Sequence, residues 1–129
     1  MGWNLYLEKN GRKIDDIRIG SYGGVHRLTE ERGIDLLDTA FKLLSEEEMA
    51  TEAGCYYEAF KPSTLRKIQK AYKELANGIE QKNKQVITRL NAGEIDDEHS
   101  DETWGYSVAL TIAKLAHKAR VIEGRLVFA

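Results

Sequence analysis

The sequence predicts an α+β fold: a small antiparallel sheet, made of an N-terminal hairpin and a C-terminal strand, packed against three to five helices. Three observations carry that expectation. Apolar residues alternate on the N-terminal side of Asn10-Gly11 and recur beyond it, helical 3-4 spacing dominates the middle of the chain, and apolar residues return after Arg125. A chain of 129 residues suits one domain spanning 1–129, burying roughly two thirds of its unfolded surface.

The hairpin comes first. Trp3, Leu5 and Leu7 alternate with Asn4, Tyr6 and Glu8, the period of a half-buried strand. Asn10-Gly11 tolerates positive φ at both centres of a type I′ turn, so the chain returns through Ile14, Ile17 and Ile19. Those isoleucines slip by one residue, which predicts a bulge across Asp15-Asp16 with both carboxylates outward. Gly20-Ser21-Tyr22-Gly23-Gly24 then reads as a flexible junction. A short helix from Val25 to Arg32 follows, interrupted by Gly33. Leu37, Ala40, Phe41 and Leu44 resume helical spacing. Ser45 and Glu48 form a capping box, and Glu46 and Glu47 suit the positive end of the same helix dipole. Cys55 to Phe60 fits a short strand or a helix end.

Pro62 blocks helix at Lys61 and prepares a start, with Ser63 or Thr64 as the cap. Leu65, Ile68, Tyr72, Leu75 and Ile79 step by 3, 4, 3 and 4, the clearest helix in the chain. Asn77-Gly78 is a candidate end or kink. Val86, Ile87 and Leu90 extend the pattern as an αα-hairpin or one long bent helix. After an acidic loop, Ser100 caps the last helix with Asp101 and Glu102 in its first turn. Trp104, Val108, Ile112 and Leu115 form the ridge of that helix. Beside it Gly105, Ala109, Ala113 and Ala116 make a smooth strip, over which another helix can approach closely. Arg125 to Ala129 supply the strand that completes the sheet.

Charge is sorted along this chain. Residues 61–92 carry eight Lys/Arg against two Glu, and the flanks on either side are acidic, so the three segments stand at about −5, +6 and −3. Such segments either pair across the fold or present a partner with two opposite surfaces. The single cysteine, Cys55, excludes an internal disulfide and favours the cytoplasm. No apolar run approaches the roughly 18–20 residues of a membrane span, and no signal peptide or lipidation pattern opens the chain. A soluble cytoplasmic protein without membrane contact is expected.

Catalytic and metal patterns are missing. His26, His99 and His117 belong to no H-x-x-x-H or H-E-x-x-H arrangement. No nucleophile elbow, Walker or dinucleotide-binding motif occurs. No cofactor, metal or catalytic residue is therefore assigned, and binding is the expected role.

Three candidate surfaces remain. Arg66, Lys67, Lys70, Lys73 and Lys84 avoid the apolar ridge and could neutralise phosphates, although only Tyr72 offers an aromatic ring and it lies on the core side. Asp96, Asp97, Glu98 and Asp101 form an acidic patch suited to a basic partner. Tyr22, His26 and Arg27 stand at the Gly20–Gly24 turn, where backbone amides can hold an anion.

The leading expectation is a small regulator or inhibitor that docks to another protein. Immunity and anti-defence proteins of phage or other mobile elements have this size and lack of motifs. The alternative is a nucleic-acid-binding protein using the basic segment, and the third is a small-ligand binder or enzyme at the glycine turn. The small-residue strip on the last helix also suggests a homodimer.

Overall fold

Four strands, β1 (Gly2–Lys9), β2 (Arg12–Ser21), β3 (Tyr57–Ala59) and β4 (Arg125–Phe128), pair throughout in antiparallel fashion in the order β2-β1-β4-β3. The computed structural model describes residues 2–45, 48, 57–59 and 61–129. Among them are five helices: α1 (Tyr22–Arg32), α2 (Asp38–Phe41), α3 (Pro62–Lys82), α4 (Lys84–Asn91) and α5 (Asp101–Ile122). The chain therefore adopts the α+β class that its periodicities predict. Glu46, Glu47, Cys55, Tyr56 and Phe60, part of the expected cap and short strand, lie outside the described residues.

The hairpin turns at Asn10 and Gly11, with φ of 53° and 75°, as a type I′ turn requires. The bulges differ from expectation. Register slips between Leu7 and Glu8, where Ile14 is the extra residue, and between Trp3 and Asn4, where Ile19 is. Ile14 is left 47% exposed. Asp15 stands opposite Leu7 and meets Lys118 of α5 at 3.7 Å, while Asp16 pairs with Lys13 at 2.8 Å. Both carboxylates are exposed, Asp15 beside α5 and Asp16 away from it. The second bulge has a use: it turns the Ile19 carbonyl toward the Trp104 indole, which donates to it at 3.0 Å. Two bulges and the charges of Arg12, Lys13, Asp16 and Arg18 also blunt the open edge of β2.

The last strand lies inside the sheet. β4 runs between β1 and β3, with Phe128 opposite Leu5 on one side and Tyr57 on the other. Leu126 and Phe128 are fully buried, as are Leu5 and Leu7. Arg125 at its start draws two carboxylates together, Glu8 at 3.0 Å and Glu58 at 2.8 Å.

Helix α5 touches β1, β2, β4, α1, α3 and α4, and is buried on nearly every side. Its strip of Gly105, Ala109, Ala113 and Ala116 is covered within the chain, where α3 packs along it. The strip, which with the opposed charge segments prompted the expectation of a homodimer, is therefore not an exposed surface. At Gly105 a Cβ would stand 2.9 Å from Ile34, so the absent side chain lets the segment after α1 pack against α5, while Ile79 of α3 would lie at an ordinary 3.7 Å. The two helices are antiparallel: Tyr106 near the start of α5 reaches Glu80 near the end of α3 at 3.4 Å.

Helix α3 starts earlier than a cap at Ser63 or Thr64 predicts. Lys61 is the N-cap and Pro62 the first helical residue, where a missing N–H costs nothing. Thr64 instead donates to the buried Glu48 carboxylate at 3.1 Å, and Ser45 donates to the same oxygen at 3.0 Å. The other oxygen, Oε2, has no hydrogen-bond partner among the described residues. Asn77-Gly78 neither ends nor kinks the helix, because Ala76 and Ile79 on the adjoining positions are buried. The break comes at Asn83 (φ −133°, ψ 44°), and α4 resumes at once. Midway along, Tyr72 is fully buried and donates its hydroxyl to the Leu36 carbonyl. Burial raises its phenol far above the usual value, so it remains a donor at any physiological pH.

The end of α5 carries a small strain. Glu123 caps it with φ of 57°, a left-handed conformation that glycine adopts at no steric cost. Glu123→Gly should therefore stabilise the protein by about 0.5–1 kcal/mol. Thermal unfolding should show a rise of a few degrees; a fall would mean that the glutamate side chain holds something at this corner.

Candidate functional site

Ion pairs sort this molecule into a neutralised part and a part that is not. Most of the pairs join residues outside the basic segment. Arg27 and Arg32 hold Asp101, Arg125 holds Glu8 and Glu58, Lys118 meets Asp15 and Lys13 meets Asp16. Among the described residues, Arg89 of the basic segment pairs with an acid of the flank, Glu94. Arg66, Lys67, Lys70, Lys73, Lys82 and Lys84 are all exposed, and none makes a side-chain hydrogen bond or ion pair with any described residue.

Helical spacing explains how they line up. Arg66, Lys70 and Lys73 are separated by four and three residues, so they share one stripe of α3 about 10 Å long. Lys67 lies beside the stripe, whereas Lys82 and Lys84 stand at the far end of the helix and beyond its break. Like charges at these spacings repel by a few tenths of a kcal/mol per pair. Nothing described within the fold offsets that repulsion except Glu74, an exposed acid on the same helix.

The stripe borders a groove. Between α3 and α5 lies a depression of about 390 Å³, lined by Gln69, Lys73, Leu110, Ala113, Lys114 and His117. Its walls are mostly carbon, with Lys73 on one rim and Lys114 and His117 on the other. On α5, Leu110, Lys114, His117 and Val121 follow one another at helical spacing, and Val121 is 66% exposed. The sequence reading passed over Lys114 and His117 in this role. The signal was available: Leu110, Lys114 and His117 fall on a line of α5 distinct from the Trp104–Leu115 ridge.

The acidic residues do not form one free patch. Asp101 accepts two hydrogen bonds from Arg27, at 2.7 and 3.0 Å, which join α1 to the start of α5. Asp96 turns inward on its own loop, accepting from the Glu98 amide at 3.0 Å. The Asp97 carbonyl accepts from Thr103, the residue that completes the capping box with Ser100. Only Asp96 and Glu98 of the predicted acidic set are well exposed. Their loop precedes α5, roughly 15 Å along the helix from the basic groove.

The hydrogen bond from Arg27, assisted by the charges of Arg27 and Arg32, holds the Asp101 carboxyl below its usual value. A folded-state pKa below the unfolded one contributes stability above the ordinary value of 3.8, and the contribution disappears as pH falls through the folded value. Asp101→Asn should therefore lower stability near neutrality and flatten its dependence on pH below about pH 4. Urea midpoints for both proteins at acid and neutral pH would show this. Parallel curves would mean the pair contributes nothing, the common fate of exposed ion pairs.

The glycine junction is already spent on structure. Ser21 caps α1 by accepting from the Gly24 amide at 3.0 Å. His26 meets Glu30 at 3.1 Å, and Arg27 is committed to Asp101. Tyr22 is 52% exposed and its ring stands edge-on to Trp3 at 5.6 Å. A shallow hollow of about 200 Å³ opens beside Tyr22 and His26, with Asp35 and Asp38 at its margin. It holds an imidazole and carboxylates, but the imidazole is paired with Glu30 on its own helix.

Among the described residues no group of three or more His, Cys, Asp or Glu side chains is placed to hold a metal. No described helix is long and apolar enough to cross a membrane. Compared with known proteins, the chain matches no family model, no curated protein and no solved structure.

Proposed function

We propose that the protein is a regulator or inhibitor that works by docking the basic outer face of α3 onto an acidic surface of another protein. One observation carries this reading: exposed cations gathered on one face that no described residue neutralises. Such a face steers encounter with an acidic partner and rejects basic ones, so it acts on association rate and partner choice. The neighbouring groove adds carbon surface beside the charges, the combination of apolar centre and polar rim found in protein interfaces.

The same cations suit nucleic acid, and that reading is weaker on two counts. No Trp, Tyr or Phe lines the groove, and the imidazole of His117 is the one ring it offers to a base. The chain as a whole has a net charge of −2, which opposes a polyanion at long range.

Tagged protein can be incubated with nuclease-treated lysate of its native host beside the R66E/K70E/K73E variant. A protein held by the wild type and lost by the variant, and then shown to bind directly when purified, is the expected result. Equal capture by both, or capture that nuclease abolishes, would contradict the reading.

A further inference from the structure

We infer that the groove between α3 and α5 receives a single amphipathic helix of the partner, with an apolar stripe on its inner face and acidic residues along both sides. The inference rests on the docking role above and narrows it to one kind of occupant. α3 and α5 are antiparallel neighbours, and the trough between two such helices is where a third helix packs by ridges into grooves. The floor presents carbon, chiefly that of the half-buried Leu110, which rewards apolar anchors at helical spacing in the partner.

Both rims are basic. Lys73, continued by Lys70 and Arg66, borders one side, and Lys114 borders the other. A helix seated between them meets cations on both flanks, which selects Glu or Asp on either side of its apolar stripe. None of Arg66, Lys70, Lys73 or Lys114 has an ion-pair partner among the described residues, so docking breaks no internal pair. Val121, on the same line of α5 as Leu110 and His117, prolongs the apolar track.

The test uses the intact protein and three fluorescent probes. One is a stapled helical peptide of about 16 residues with Leu at i, i+3, i+4 and i+7 and Glu on both flanks. The second has the same composition with its leucines scattered around the helix, and the third is a single-stranded oligonucleotide of equal charge. Anisotropy at low salt should show the amphipathic peptide binding at least tenfold tighter than the scattered one. The K73E/K114E variant should lose at least tenfold in affinity for it, while Lys67→Glu, off the groove, should lose little. Leu110→Gln, checked for folding by circular dichroism, should weaken the amphipathic peptide alone.

Equal affinity for the two peptides, or none for either, overturns the groove as a helix receptor and leaves the wider docking role standing. Tighter binding of the oligonucleotide than of both peptides overturns the two together.

Discussion

Deleting the five residues after Gly124 is expected to unfold the protein outright. β4 lies between β1 and β3, so its loss removes the ladder on both sides and strands β3 from the sheet. Leu126, Val127 and Phe128 are buried, and each is worth roughly 1.5–3 kcal/mol of burial. Together that is roughly 4.5–9 kcal/mol, comparable with the whole stability of a domain at about 5–15 kcal/mol. The exposed flanks of Leu5, Leu7 and Phe41 would add to the loss, since Phe41 packs edge-on to Phe128 at 5.9 Å. Circular dichroism of the truncated chain should show no cooperative transition. A folded, cooperatively melting product would mean that the helices form a core without the sheet.

The second large effect concerns binding. Reversing Arg66, Lys70 and Lys73 together should cost the partner complex on the order of 100-fold in affinity at low salt. That corresponds to about 1 kcal/mol for each reversed rim charge. Most of the loss should lie in the association rate, and it should shrink to less than about tenfold at half-molar salt, where the Debye length is only a few ångströms. Stability should move the other way. Lys70 has Arg66, Lys67 and Lys73 as like-charged neighbours at three or four residues, and only Glu74 opposes it. Lys70→Glu alone converts three repulsions into attractions and one attraction into a repulsion, so it should raise stability by about 1 kcal/mol. A variant more stable yet weaker in binding would show that the stripe is held at a cost to the fold. A less stable Lys70→Glu would mean that these lysines have an internal use.

Much of the architecture was legible. Asn10-Gly11 announced the hairpin, Ser100 with Asp101 and Glu102 announced the start of α5, and the 3-4 steps from Leu65 to Ile79 traced α3. These are local signals, in which propensity, spacing and capping agree. What escaped depends on neighbours distant in sequence. The central place of β4 follows from its pairing with residues more than a hundred positions earlier, which no spacing encodes. The bulges stand at Ile14 and Ile19, and the second turns a carbonyl to Trp104, a residue 85 positions away that the run of isoleucines does not reveal.

The site divides in the same way. Exposure of Arg66, Lys67, Lys70 and Lys73 could be read from the helical phase, since Leu65, Ile68 and Tyr72 fix which face is buried. The partners of the acids could not. Asp101 looked free in the sequence and is tied to Arg27 and Arg32, which come from another helix. The groove needed the antiparallel packing of α3 on α5, so Lys114 and His117 joined Lys73 only in three dimensions.

The most direct test of the central claim is the association rate of the captured partner with wild type and with R66E/K70E/K73E, followed from about 50 to 500 mM salt. An unbalanced cationic face that guides docking predicts a rate that falls steeply with salt for the wild type, and a slow, nearly salt-independent rate for the variant. Two superimposable curves would contradict it, because the charges left unneutralised along α3 would then play no part in the encounter.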